Sequence, residues 1–313
     1  MANFALLGAA GFIARRHLEA IYISGHKLLV ACDPHDSVGV MDSYFPNALF
    51  YTDPNVFALH MANNVRADPE SRVDYCAICS PTYLHADHIA LALRSCAHAI
   101  CEKPLVLQPE DLIEIQEIEK CTGRRTFAVL QLRYHPALIE LRKSLASRGL
   151  RHTYRVAVHY VAPRGEWYHV SWKGDPNKSG GLALNIGVHL FDVLLWLFGS
   201  AQGAGIHLSE PRRLAGTLVL QSAIVNWLIS VDPADLPDDQ RTAPYGTIRR
   251  ITVDGCDLDF SDIRDLHLMA YEHILAGNGI TVREASASIE LVKRLGALPI
   301  TPYNPTIEGP DQC

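Results

Sequence analysis

Two stretches of this chain set a group able to move a proton beside groups able to orient a substrate. The first is CEKPL at 101–105, which puts Glu102, Lys103 and Pro104 at the end of an apolar run. A lysine desolvated at the carboxyl end of a strand drops its pKa toward the range useful for proton transfer. The second is SGGLALNIGVHLFD at 179–192, where Asn185 and His189 stand four residues apart and Asp192 follows. On a helix that spacing shares one face. The paired glycines before it suit a face that opens on a cavity.

A third stretch has the spacing of a phosphate turn. ALLGAAGFIARRH at 5–17 supplies Gly8 and Gly11, with Ala10 and Ile13 where G-x-G-x-x-G would place its other glycines. Such a turn ends a strand and aims the free N–H groups of a helix start at a pyrophosphate. Gly8, Ala10, Gly11, Phe12 and Ile13 are the expected contacts. The next strand ends at Asp33, where an acid would accept from ribose hydroxyls. No Arg or Lys follows within DPHDSVG, so the expected dinucleotide is NAD rather than NADP. Ser80, Pro81 and His85 (in CSPTYLH), Glu102, Lys103 and Gln131 fall at later strand ends, where open α/β sheets bind ligands.

Basic and aromatic residues crowd the second half. Arg133, Arg164, Lys173 and Lys178 stand in loops expected to face the cofactor, with Trp167, Tyr168 and Trp172 among them. Arg suits bidentate carboxylate or phosphate contacts, so this cluster reads as a site for an anionic substrate. Arg133, Arg164, Tyr168, Trp172, Lys173, Lys178, Asn185 and His189 are the expected substrate contacts.

The elements that must carry these residues change rhythm along the chain. Six apolar runs (NFALLG, KLLVACD, ALFYT, VDYCAICS, HAICEKP and RTFAVLQLRY) alternate with helical patterns, which predicts a doubly wound parallel sheet covered on both faces. After about residue 150 come a long β-like run, HTYRVAVHYVA, and a polar, aromatic loop. LALNIGVHLFDVLLWLFG then has the weight of one buried helix. RLAGTLVLQ, AIVNWLISVD and TIRRITVDG read as consecutive antiparallel strands, with two helices to finish. The fold class is therefore α/β: a Rossmann domain over 1–132 and an α+β domain with a large, open, mostly antiparallel sheet over 133–313. The open face is expected to be covered in a homo-oligomer, a homotetramer.

Composition excludes several classes. The 313 residues carry a formal charge of −6, against a nucleic-acid binder. No apolar run is long enough to span a membrane, and no basic patch precedes a short apolar block, so neither membrane insertion nor a signal peptide is expected. The eight cysteines lie mostly in apolar runs, consistent with reduced thiols and a cytoplasmic location. Cys76 and Cys79 fall on a strand, where residues three apart face opposite sides, and His85 and His88 have no ligand cluster, so no metal is expected.

EKP after strand five, with GG-x-x-x-N-x-G-x-H-x-x-D later, resembles the oxidoreductase family that includes glucose–fructose oxidoreductase and inositol dehydrogenase. GAAGFIARRH, DSVGVMDSYFP, LQLRYHPAL, RGEWYHVSWKGDPNKSGG, NIGVH and WLISVDPADLP narrow the resemblance to the UDP-N-acetyl-glucosaminuronate 3-dehydrogenases of bacterial surface-polysaccharide (O-antigen) synthesis. The resemblance maps the family's lysine to Lys103 and its helix histidine to His189. It implies oxidation of the sugar 3-hydroxyl to a ketone, which a downstream aminotransferase converts to an amine, and in some members NADH reoxidation by 2-oxoglutarate. Two departures stand out: Asn185 where many members have Asp, and Arg15 where relatives carry proline. Two other readings stay open here, a dehydrogenase of another sugar or polyol and a non-catalytic nucleotide sensor. Which of Lys103 and His189 takes the hydroxyl proton is also open.

Overall fold

A computed structural model describes residues 1–148, 152–242, 246–260 and 262–302; Cys313 lies outside them. The first sheet alternates strand and helix: β1 (Asn3–Leu7), α1 (Ala14–Ile23), β2 (Lys27–Cys32), β3 (Leu49–Tyr51), α2 (Pro54–Asn63), β4 (Tyr75–Ile78). It continues with α3 (His85–Arg94), β5 (His98–Cys101), α4 (Pro109–Thr122) and β6 (Thr126–Ala128). All six strands are parallel, in the order β3-β2-β1-β4-β5-β6. Every residue of β1 is buried, as a strand covered on both faces requires. The order reverses between β1 and β4, which opens a crevice at the carboxyl ends. Helix α2, absent from the expected pattern, starts on Asp53, whose carboxylate accepts from the Asn55 N–H, with Pro54 in the first turn.

The chain then runs through α5 (Pro136–Arg148), β7 (Tyr154–Val161), α6 (Glu166–Val170), α7 (Pro176–Ser179), α8 (Gly181–Asn185) and α9 (Val188–Phe198). It ends with β8 (Ala201–Ser209), β9 (Arg213–Leu220), β10 (Ala223–Ser230), β11 (Ile248–Val253), β12 (Cys256–Asp259), α10 (Leu266–Leu275) and α11 (Val282–Gly296). The second sheet has the order β12-β11-β7-β10-β9-β8. It is mostly antiparallel, but three expectations about it need correction. β11 does not follow β10 in the sheet: β7 lies between them, parallel to β10 and antiparallel to β11. The long 231–247 connection is what lets the chain step over β7, since only short links force neighbours together. The loop at 163–180 is partly wound into α6 and α7, the latter capped by Asp175 with Pro176 in its first turn. The single buried helix is two, meeting at a 43° bend between the segment ending at Asn185 and α9. Gly187 sits at that break, where a Cβ would come within 2.6 Å of the Ala183 carbonyl and of Ile229.

Among the described residues no single helix is long and apolar enough to cross a membrane. α9 is buried on nearly all sides because it forms the centre of the second core, with Phe191 edge-on to Trp227. The last two helices return to the first sheet. Tyr271 and Ile274 of α10 pack with Phe4, Leu18 and Phe127, and Ala285 and Ile289 of α11 join the cluster of Leu112, Ile115 and Ile118. β6 is tied to the approach to α11 by a hydrogen bond from the Ala128 N–H to the Ile280 carbonyl.

Candidate active site

The crevice begins at the phosphate turn. Gly8 has φ +85°, and a Cβ there would lie 2.6 Å from backbone atoms of Cys79 and Ser80. Glycine is needed twice over, for the dihedral and for the approach of β1 to β4. The Asp33 carboxylate buttresses the turn: Oδ2 accepts from the Ala10 N–H at 3.0 Å and Oδ1 from the His35 N–H at 2.9 Å. Each oxygen retains acceptor capacity for a ribose hydroxyl. No side chain caps the start of α1, Phe12 beside it is 93 % exposed, and Gln131 carries a buried Oε1 without a partner among the described residues. These features fit a dinucleotide. Ile13 replaces the third glycine by turning into the apolar cluster beneath α1.

Lys103 reaches from the end of β5 to the helix break. Its Nζ donates to the Asn185 carbonyl at 3.0 Å, so the 43° bend provides an acceptor that an unbroken helix would have used internally. Burial pulls its pKa down to about 8, with Glu102 opposing and Arg164 and Lys173 adding to the fall. His189, on the first turn of α9, is held well below its ordinary pKa by burial and by the nearby Lys103. Its Nδ1 is buried without a hydrogen-bond partner among the described residues. The amide of Asn185 donates from Nδ2 to the Tyr168 hydroxyl at 3.0 Å, which ties the break to the 163–180 segment. The cleft therefore pairs an ammonium that titrates near neutrality with a neutral imidazole.

The basic residues divide. Arg164 uses Nη1 on the Ala162 and Pro163 carbonyls, and with Lys173 lies close enough to depress the pKa of Lys103. The Lys173 ammonium packs over Trp167 and Trp172. Lys178 sits over the ring of Tyr83, which also meets Trp172 edge-on, so this segment docks across the crevice on the turn after β4. Arg133 does not join them. It makes a bidentate ion pair with Asp192, Nε to Oδ2 at 2.8 Å and Nη2 to Oδ1 at 2.6 Å, and is consumed in joining the end of β6 to α9.

Two expected cofactor contacts also turn inward. Both His85 ring nitrogens meet backbone carbonyls, Nδ1 with Pro104 at 2.8 Å and Nε2 with Ser80 at 2.9 Å. A neutral ring donates to one at a time, so His85 knits β4 to the lysine turn. Ser80 is likewise engaged, through Oγ with His88 Nδ1 at 2.8 Å. Glu102 is buried beneath Lys103, where His17 Nε2 and His267 Nε2 both approach Oε1 at 3.0 Å. His17 and His267 escaped sequence reasoning because they lie 85 and 165 residues from Glu102 and carry no local pattern. Tyr83 was missed as well, although CSPTYLH places it on the crevice.

A parallel sheet with a glycine turn, joined to an α+β domain whose broken helix presents a histidine to a strand-end lysine, defines the two-domain oxidoreductase class. Residues 2–130 match the oxidoreductase family's NAD-binding Rossmann fold and residues 143–221 its C-terminal alpha/beta domain. The chain belongs to this family, GFO/IDH/MocA, whose first domain binds NAD. Over 98 % of both chains it is similar, at 44 % identity and TM-score 0.92, to the WlbA (WbpB) dehydrogenase of Thermus thermophilus in complex with NAD and alpha-ketoglutarate. The same Thermus dehydrogenase has been solved with NAD and UDP-GlcNAcA, at 43 % identity and TM-score 0.92 over 98 % of each chain. Among curated proteins, the D-glucoside 3-dehydrogenase of Escherichia coli is 25 % identical over 62 % of this chain and 53 % of its own length. The chain spans about half the length of such curated relatives.

Proposed function

We propose that this protein uses NAD to oxidise the 3-hydroxyl of UDP-GlcNAcA, a UDP-N-acetylglucosaminuronate, to the 3-keto sugar nucleotide. The observation that carries this reading is the convergence of Lys103, Arg164 and Lys173 in one cleft beside neutral His189. Three cations with one buried acid among them suit a substrate bearing a carboxylate and a diphosphate, and a neutral sugar would leave them unmatched. The Thermus relative's complex with UDP-GlcNAcA supports the same substrate.

Gly8, Ala10, Gly11 and Asp33 would hold the cofactor, which when bound accepts the hydride. Lys103, protonated below about pH 8, donates a hydrogen bond to the substrate hydroxyl and stabilises the negative charge that grows on its oxygen. His189, kept neutral by burial, takes the hydroxyl proton. Asn185 positions the sugar through the segment it shares with Tyr168. Arg164, Lys173 and Lys178 meet the anionic groups, and Trp167 and Trp172 pack against the sugar. The Thermus complex with alpha-ketoglutarate supports a 2-oxo acid as the group that reoxidises NADH in the same cleft. A 3-keto sugar nucleotide has the carbonyl that transamination needs, which supports a step ahead of an aminotransferase in surface-polysaccharide synthesis.

The test compares turnover of UDP-GlcNAcA and UDP-GlcNAc at matched, subsaturating concentration. Losing a charge-assisted contact costs about 1.5–3 kcal/mol, so the neutral sugar should react roughly ten- to a hundredfold more slowly. Equal rates would remove the carboxylate from the assignment and favour a dehydrogenase of a neutral sugar, the chemistry carried by the name of the E. coli relative.

A further inference from the structure

We infer that His17 and His267 are positioning residues for Lys103, acting through the buried carboxylate of Glu102. This rests on the reading above, in which Lys103 works as a cation at the substrate hydroxyl. Three elements distant in sequence converge on one acid. His17 comes from α1, His267 from the first turn of α10, and Glu102 from the end of β5. Both Nε2 atoms lie 3.0 Å from Oε1, while Oε2 accepts the backbone N–H of Lys103 at 3.1 Å. His17, Glu102 and His267 are all buried, so no water competes for these bonds.

The tautomers follow from the partners. A carboxylate only accepts, so each Nε2 carries a proton and donates. His17 Nδ1 then accepts from the Tyr271 hydroxyl, 2.7 Å away and fully buried. The chain Tyr271–His17–Glu102 is satisfied with a neutral His17, which is kept neutral by burial outweighing the pull of Glu102. The three side chains offer ligand atoms within 4.8 Å of one another, but shared hydrogen bonds to one oxygen account for that closeness.

The consequence for Lys103 is electrostatic as well as geometric. Burial opposes the ionisation of Glu102, and the two histidine donors overcome it. The resulting fixed negative charge raises the pKa of Lys103 against burial, Arg164 and Lys173, which lower it. The other titratable groups facing Glu102 are Cys79, Cys101, His85, His189 and Tyr271. Each is held in its neutral form by burial, so Glu102 supplies the countercharge to Lys103. Without its donors a buried acid takes up a proton, the lysine loses that countercharge, and its backbone loses its anchor.

The test measures the pKa of Lys103 in the absence of substrate. Competitive acetylation with limiting acetic anhydride is followed across pH by mass spectrometry of the Lys103 peptide. His267→Leu and Glu102→Gln should each lower that pKa by about one unit, with His267→Gln, which keeps a donor, restoring it. The alkaline limb of single-turnover NADH formation should move down with it, kcat falling at pH 8 while the KM for the sugar nucleotide holds. Thermal melting and NAD binding confirm that each variant is folded; where His267→Leu fails to fold, Glu102→Gln and His267→Gln carry the comparison. An unchanged Lys103 pKa in folded Glu102→Gln, or in folded His267→Leu, overturns the inference. A pKa that falls while the alkaline limb stays fixed upholds the inference and instead overturns the role of Lys103 as the working cation.

Discussion

Lys103 and His189 differ in what each can lose. General acid–base help is worth roughly 10²–10⁴-fold, so Lys103→Ala and His189→Ala should each cut the single-turnover rate within that range while leaving NAD affinity within a few-fold. A variant of either that keeps full turnover would remove that side chain from the mechanism. The pH dependence has a definite sign. Lys103 is cationic below about pH 8, and His189 is neutral at and above its ordinary range, so the rate should hold steady through pH 7 and fall as pH rises past about 8. A rate that climbs through pH 8 would make Lys103 the proton acceptor instead. Asp33 makes a separate prediction. It anchors the turn through the Ala10 N–H and sets a negative charge where a 2′-phosphate would sit, so Asp33→Ser should narrow the preference for NAD over NADP, read by titrating both nucleotides.

Elements decide whether these side chains meet, and here the sequence was legible unevenly. The alternation of strands with amphipathic runs was enough for the parallel sheet and its crevice, because a 2.0 or 3.6 period is a local property. The break after Asn185 was not legible, since part of the packing that leaves no room for a side chain at Gly187 comes from Ile229 on the distant strand β10. The partner of Arg133 was hidden for a similar reason. Its residue type suits an anion, but the anion it meets is Asp192, 59 residues away. Removing one member of such a buried pair costs about 3–5 kcal/mol, so Arg133→Met should lower the melting temperature markedly, and Arg133→Met with Asp192→Leu should recover part of the loss. Additive losses in that cycle would show the pair to be uncoupled. Gly8→Ala tests the turn itself: the added Cβ would lie 2.6 Å from backbone at Cys79 and Ser80. NAD binding should weaken at least tenfold, and calorimetry that finds native affinity would show the turn has room.

Across the molecule, histidines kept neutral by burial set the acid limit. His17, His85 and His189 are depressed by burial, and His88 falls to about 4. In the unfolded chain each would take up a proton near its ordinary pKa of about 6.5. Their contribution to stability is therefore complete above that value and declines as pH falls below it, toward about 4 for His88. Melting temperatures measured from pH 7.5 down to 5 should drop progressively, and a flat profile would mean these rings are already charged when folded. The return of α10 and α11 to the first sheet has a consequence for how the protein is made. Phe4, Leu18, Ile115 and Phe127 leave the ribosome well before Tyr271, Ile274 and Ile289, which cover them. The nascent nucleotide-binding half must therefore wait with apolar surface uncovered until α10 and α11 have emerged, and its half-made form is a natural client for a holding chaperone.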